Sequence, residues 1–343
     1  MKKVLLLTTG GTIASQESEE GLIPSTDGGG LLYYMGSMAA HYDITICDLL
    51  TLDSSNIQPE EWQIIARKVY EERKNYDAIV ITHGTDTMAY TSSVLSYMLM
   101  GIEIPVVITG SQLPIHHPLT DAVINLRCAF EMANSGVAGV FIAFDRKIIL
   151  GSRGVKVRTS GFAAFESVNA PCAALIDSDG LQLNCEVIPH HNEPCILRDN
   201  LDNRVFLLKL TPGTDPNILP AMAELGCSGV VIEAFGSGGI NFVRRDLVAM
   251  LDIMVERDIP VVVCSQCLYD RSDLSVYEVG RKALAKGVIQ GGDMTSEAAV
   301  TKLMWGLGQI DQGKGRIKQI SKLFAESLVG EISIKGPAAC SRP

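Results

Sequence analysis

Apolar positions in this chain gather into short runs separated by stretches of helical period, an alternation that starts almost at the first residue. Residues 4–8 form an apolar run that reads as a buried strand. Residues 9–30 are rich in Gly, Ser, Thr and acids and read as a long mobile loop. A helix is predicted over 31–41 and a strand over 44–52. Pro59 then opens a helix, with Glu60 and Glu61 in its first turn. Proline gives up only an unneeded donor there, and acids suit the dipole. Trp62, Ile65, Ala66, Val69 and Tyr70 follow at helical spacing and mark its core face. Strands are predicted over 78–82, 106–109 and 137–144, with helices over 86–100 and 120–134 between them. Strands alternating with helices predict an open, mostly parallel sheet, in which ligands bind at the carboxyl ends of the strands.

The period fades over 185–204, where Pro189, His190, His191, Pro194, Asp199 and Asp202 predict an interdomain linker. A second alternation follows, with strands over 205–210, 229–233 and 260–264 and helices over 216–225, 244–257 and 296–309. The reading is an α/β protein of two domains. A larger N-terminal domain, 1–184, carries a mostly parallel open sheet flanked by helices, and a smaller C-terminal α/β domain occupies 205–343. The tail after Lys335 is expected to fray.

A length of 343 residues agrees with two domains. Hydrophobic residues make up 47% and there are 32 glycines besides, an apolar excess that fits strands buried on both faces. The formal net charge of -10 disfavours a nucleic-acid partner. The run after Met1-Lys2-Lys3 is too short for a secretory signal, and no stretch approaches the ~20 apolar residues of a membrane span. Nine cysteines, an odd number without a disulfide spacing, suit a reducing cytoplasm.

Three post-strand loops hold candidate chemistry. In Thr8-Thr9-Gly10-Gly11-Thr12, two glycines let backbone approach a ligand and place Thr12 at the end of the first strand; an ordinary tight turn has the same composition. His83-Gly84-Thr85-Asp86-Thr87 puts an imidazole, an acid and two hydroxyls at a strand end, although Thr85 or Asp86 would equally cap the helix that follows. Asp53-Ser54-Ser55-Asn56 suits a small polar ligand, or a plain loop before Pro59. Lys156 lies in a basic strand or loop, ordinarily a solvated face. A lysine beside a threonine assists removal of the hydroxyl proton, but holding a free lysine neutral at pH 7 costs roughly 4 kcal/mol. A relay through Thr85 or water is therefore the easier route if Asp86 and Lys156 share a site. Cys264-Ser265-Gln266-Cys267 matches a redox C-x-x-C on paper without a second pair for zinc, and His116-His117 and His190-His191 lack ligand spacing, so no metal is expected. A G-x-S-x-G elbow and a phosphate loop are both absent.

Taken in order, Thr9-Gly10-Gly11-Thr12-Ile13-Ala14, Asp53-Ser54-Ser55, His83-Gly84-Thr85-Asp86-Thr87-Met88-Ala89, Val107-Ile108-Thr109-Gly110-Ser111 and Gly291-Gly292-Asp293-Met294-Thr295 resemble the bacterial-type L-asparaginase family, in its cytoplasmic type I branch. The resemblance covers about residues 2–330. It implies hydrolysis of L-asparagine to L-aspartate and ammonia, with a weak glutaminase side activity as the accompanying expectation. Thr12 matches the nucleophile, and Thr85, Lys156 and Asp86 match a second set that aids proton transfer and positions water. Asp86 also matches a contact to the substrate's α-amino group, Ser54 and Ser55 match positions holding its α-carboxylate and α-amino ends, and the backbone at Gly11 and Gly84 would supply oxyanion donors. No cofactor is implied, and a homodimer or homotetramer is, without nucleic-acid or membrane partners. Leu22 stands where type I relatives carry a lid tyrosine. Glu233 stands where some carry an arginine of a regulatory asparagine site, and Cys267 matches a cysteine there. The competing expectations are the asparaginase-like subunit of a tRNA-dependent amidotransferase, which usually has an extra domain ahead of its Thr-Gly-Gly-Thr loop, and an amino-acid sensor without turnover.

Overall fold

The computed structural model describes residues 1–18, 21–24, 28–310 and 313–333, with side chains undescribed at 16–18, 21–24 and 28. Contacts divide the chain into two compact units, Met1–Asp199 and Asn200–Pro343.

In the first unit, β1 (Lys2–Gly10) is buried continuously from position 4 onward, as an apolar run flanked by strands on both edges must be. A 3-10 turn, Thr12–Ala14, leads to a hairpin of β2 (Ser15–Ser18) and β3 (Gly21–Pro24). This corrects the expectation of an irregular loop over 9–30: the ribbon is held by an antiparallel backbone ladder that leaves no apolar period in the sequence. The Leu22 side chain lies outside the described residues, as does the tail after Lys335. The helix expected over 31–41 is α1 (Gly28–Met35) followed by a 3-10 turn, Gly36–His41. Gly36, at φ 60, takes the backbone out of the α region and ends the helix early.

β4 (Tyr42–Leu52) is buried mostly at its start, as an edge strand should be. α2 (Pro59–Glu72) has Pro59 in its first turn, and the Glu61 carboxylate accepts from the Gln58 amide at 2.8 Å, closing a capping box. It buries Trp62, Ile65, Ala66 and Val69 as the period predicts. β5 (Ala78–Thr82), α3 (Met88–Met98), β6 (Pro105–Thr109), α4 (Ala122–Ser135) and β7 (Gly139–Phe144) complete the alternation. The chain then turns back through β8 (Lys147–Leu150), β9 (Gly154–Lys156), β10 (Phe165–Ser167), β11 (Ala174–Asp177) and β12 (Gly180–Leu183). The large sheet runs β12-β11-β8-β7-β6-β5-β1-β4. The pairs from β4 to β7 are parallel and those from β7 to β12 antiparallel. The β7–β8 hairpin escapes a sequence reading because its two turn residues, Asp145 and Arg146, take positive φ (47 and 60) without a glycine.

The second unit holds β13 (Val205–Lys209), α5 (Ile218–Glu224), β14 (Gly229–Ala234), α6 (Leu247–Glu256), β15 (Val261–Ser265), α7 (Glu278–Ala285), β16 (Ile289–Gln290), α8 (Ser296–Gln309) and α9 (Arg316–Phe324). Its sheet, β13-β14-β15-β16, is parallel throughout. Helices α7 and α9 go unmarked in the sequence reading because each is only about two turns long, too short for a clear period; α9 is tied down by burial of Ile320 and Phe324.

A buried ion pair closes this unit. Lys302 of α8 and Glu331 are both wholly inaccessible, and the ammonium donates to the Glu331 carboxylate and, at 2.8 Å, to the Glu326 carbonyl. Glu331 also accepts from the Leu328 and Val329 amides at 3.0 and 2.7 Å. Burial pushes the Lys302 ammonium pKa down, against the opposing pull of Glu331. Lys302→Met is expected to strand a buried carboxylate and cost about 3–5 kcal/mol of unfolding free energy, whereas Lys302→Met with Glu331→Gln should recover much of it. Urea titrations of the two variants check this.

Candidate active site

The parallel strands β4, β1, β5 and β6 end side by side, and the loops that leave them interlock through glycine. Gly10 (φ 98) lies against β4, so that a Cβ there would sit 2.4 Å from the Leu52 carbonyl oxygen. Gly11 (φ 82) lies against the next loop, where a Cβ would fall 2.4 Å from the Gly84 nitrogen. Gly84 in turn has no room for a Cβ beside Ser54, with Oγ 2.6 Å away. Three loops far apart in sequence thus meet backbone to backbone, and the glycines are required by close approach rather than by turn formation alone.

Thr12 stands half-buried on the first of these loops. The Gly11 amide donates to Leu52 O at 3.0 Å, the Ser15 hydroxyl to Gly11 O at 3.0 Å, and the Ile115 amide to Ile13 O at 3.1 Å. Backbone and neighbouring groups therefore hold the turn, and among the described residues the Thr12 side chain is not one of its supports.

The second loop carries Thr85 and Asp86. Neither caps a helix: α3 begins after Thr87, which makes no side-chain cap bond. Lys156, at the end of β9, reaches both residues instead. Its Nζ donates to Thr85 Oγ1 at 2.7 Å and to Asp86 Oδ1 at 2.6 Å. The Lys156 side chain is 16% exposed against 63% for Asp86, so the basic segment buries its lysine inward rather than presenting a solvated face. Thr85 Oγ1 also lies 3.4 Å from Gln112 Oε1, a long contact to which its hydroxyl can donate. Gln112 is fixed because its Nε2 donates to the carbonyls of Thr159 and Gly161 at 2.9 and 3.2 Å, and its own amide donates to the Asp121 carboxylate at 3.0 Å.

The third loop supplies Ser54 and Ser55. Ser54 is buried; its Oγ accepts from the Asp86 amide at 3.2 Å, and its carbonyl from the Thr87 hydroxyl at 2.7 Å. Ser55 is exposed and donates to Asp53 Oδ1 at 2.6 Å from its hydroxyl and 2.8 Å from its amide. These two bonds hold the Asp53 carboxyl below its ordinary pKa. The structure thus gathers Thr85, Asp86, Lys156 and Ser54 through direct bonds and joins Thr12 to them through the Gly11–Gly84 contact, while Ser55 stands outermost. Gln112 escaped the sequence reading although it directly follows the Thr109-Gly110-Ser111 segment at the end of β6.

The remaining candidates lie in the second unit. Cys264 is fully buried, with the thiol pushed up to about 12 by burial, while Cys267 is exposed; a thiol so hard to ionise does not suit redox exchange. Glu233, at the end of β14, accepts from the Ser296 hydroxyl at 2.6 Å and lies 3.2 Å from Lys209 Nζ. Among the described residues no helix is long and apolar enough to cross a membrane.

The family profile "Asparaginase, N-terminal" matches residues 3–189, and "Glutaminase/Asparaginase C-terminal domain" matches residues 204–324. The chain is 44% identical over 334 residues to an L-asparaginase of Thermococcus kodakarensis, covering 96% of this chain and 99% of that protein. The solved structure of the thermostable L-asparaginase from that organism superposes with a TM-score of 0.91 at 43% identity, covering 97% of this chain and 100% of that one. A glutamyl-tRNA(Gln) amidotransferase subunit of Methanosphaera stadtmanae is 33% identical over 344 residues, 96% of this chain and 77% of that protein. The structure of a probable cytoplasmic L-asparaginase from Campylobacter jejuni matches at TM-score 0.80 and 25% identity, covering 95% and 100% of the two chains. Two profiles that together span most of the sequence, and a relative matched over nearly its whole length, place this chain in the asparaginase family.

Proposed function

We propose that this protein hydrolyses L-asparagine to L-aspartate and ammonia, with Thr12 as nucleophile and Thr85, Lys156 and Asp86 as the set that moves protons and positions water. The observation that carries the reading is the Lys156 ammonium, held at 2.7 Å from the Thr85 hydroxyl and 2.6 Å from the Asp86 carboxylate beside the loop that presents Thr12. A primary amide is a weak electrophile, so attack needs a proton acceptor for the hydroxyl and donors for the oxyanion. Thr12 Oγ1 bonds to the carboxamide carbon, and its proton passes through the Thr85–Lys156 relay to the leaving nitrogen. The C–N bond then breaks and ammonia departs, leaving an aspartyl ester on Thr12. Water attacks that ester, gives a proton back to Thr12 Oγ1, and releases aspartate. Amides of the Gly11–Thr12 and Gly84–Thr85 turns supply the oxyanion donors. Asp86, exposed at the mouth, meets the substrate's α-ammonium, while Ser54 and Ser55 hold its charged ends and so fix the amide at Thr12.

Steady-state ammonia release from L-asparagine, with L-glutamine alongside, tests the reading. Saturable release favouring asparagine is expected, with glutamine turned over weakly, because one methylene is worth only about 1–3 kcal/mol in a pocket. Absence of release from the folded protein would sink the assignment. A cytoplasmic location is part of the same proposal, supported by the resemblance to the probable cytoplasmic L-asparaginase of Campylobacter jejuni and by cysteines that are free among the described residues, and a homodimer or homotetramer is what the family resemblance implies. A carboxylate at Glu233, already paired with Lys209, does not suit an asparagine carboxylate, so a hyperbolic rather than sigmoidal curve is expected.

A further inference from the structure

His83 opens the His-Gly-Thr-Asp-Thr segment, yet none of the steps above uses it. It is wholly buried at the end of β5, and its ring lies between the catalytic loop and two helices. Nδ1 lies 2.6 Å from the carbonyl oxygen of Gly84, the residue immediately before Thr85. Nε2 lies 2.9 Å from Thr91 Oγ1 in α3, and Thr91 Oγ1 accepts from the Trp62 indole N–H of α2 at 2.9 Å.

The chemistry of these atoms allows one arrangement of protons. A carbonyl oxygen only accepts, so Nδ1 carries the hydrogen. Burial pushes the imidazole down to about 4, so the ring is neutral at ordinary pH and Nε2 is a bare acceptor. Thr91 accepts from Trp62 and so donates its single proton to Nε2. The chain runs in one direction, from Trp62 N–H to Thr91 O–H to His83 Nδ1–H to Gly84 O.

We infer that His83 is a positioning residue for amide hydrolysis, holding the Gly84–Thr85 peptide in the orientation the reaction needs. The peptide is planar and trans, so its C=O and N–H point in opposite directions. Anchoring Gly84 O on the buried imidazole turns the Thr85 N–H away from the core, toward the side where Thr85 Oγ1 meets Lys156. The Gly84 Cα from which this peptide departs abuts the first loop, 2.5 Å from where a Gly11 Cβ would be. Rotation of the peptide would therefore misalign an oxyanion donor and the Thr85 hydroxyl together. The His83 backbone is itself pinned, its amide donating to Thr109 O at 2.8 Å and its carbonyl packing against Gly110. With the main chain fixed, the side-chain bond remains to set the peptide plane that follows.

This role rests on Thr12 and Thr85 acting as proposed above, and the test separates the two. Nitrogen-15 NMR of the imidazole in the unmodified protein is expected to find Nδ1 protonated and Nε2 bare. Thr91→Val, which matches threonine in shape and touches neither catalytic threonine, removes the donor to Nε2. It is expected to lower kcat for asparagine about tenfold, the scale of one lost hydrogen bond, with KM within about twofold. Thr91→Ser, which keeps the hydroxyl, should restore most of kcat. A proton on Nε2 in the unmodified protein overturns the inference. So does a folded Thr91→Val enzyme with unchanged kcat, or a serine variant as slow as the valine one. Turnover surviving in Thr12→Ala would instead count against the nucleophile and leave the tautomer result standing.

Discussion

Thr12→Ala is expected to abolish ammonia release from L-asparagine, lowering kcat at least ~10³-fold while the protein stays folded. The size follows from chemistry: without the hydroxyl no ester forms, and what remains is the modest catalysis that binding and oxyanion donors give to attack by water. Thr85 does not take over, because its hydroxyl is already engaged as acceptor from Lys156 and donor to Gln112. The fold survives because the turn is held by the Gly11 amide on Leu52, the Ser15 hydroxyl on Gly11 and the Ile115 amide on Ile13, none of which involves the Thr12 side chain. A coupled ammonia assay beside a thermal melt checks both halves. Near-normal turnover in the alanine variant would show the nucleophile to be elsewhere.

Lys156→Met is expected to lower kcat by roughly 10²–10⁴, the range of a positioned proton-transfer group, with KM changed little. Methionine keeps the length of the side chain but neither bond, so the Thr85 hydroxyl loses the donor that polarises it. Asp86 loses its partner too, but its side chain is 63% exposed and water replaces the ammonium, so stability should change by less than about 1 kcal/mol. Lys156→Arg should rescue poorly, because a guanidinium is bulkier and its N–H donors are confined to one plane, whereas the compact ammonium rotates its three donors to meet both Thr85 and Asp86. Single-turnover and steady-state rates separate chemistry from binding. A raised KM with kcat intact would confine Lys156 to holding Asp86.

How much was legible in advance varies with how far each feature depends on residues near it in sequence. The start of the helix at Pro59 and most of its core face were legible because the proline, first-turn acids and apolar period lie within one segment. The parallel strands β1, β5 and β6 were legible because burial on both faces demands unbroken apolar runs. The antiparallel pair β2–β3 and the early end of α1 were missed, since a backbone ladder and one positive φ leave no periodic trace. For the site, Thr12, Thr85, Asp86 and Lys156 were singled out through resemblance; spacing alone left a tight turn, a helix cap and a solvated lysine as competing readings.

The sequence by itself determined the alternation of strand and helix, the placing of hydroxyl- and acid-bearing loops after strands, and membership in a family through ordered motifs. The tertiary structure alone decided that Thr85 and Asp86 do not cap α3 and instead meet Lys156 across 71 and 70 residues of chain. It alone decided that Gln112 completes the Thr85 hydroxyl, that Glu331 neutralises Lys302 in the second unit, and that His83 is coupled to Trp62 through Thr91. The reason is physical: periodicity and propensity report what a residue does to its own segment, whereas bond partners are fixed only when the sheet order brings the ends of β4, β1, β5 and β6 to one edge.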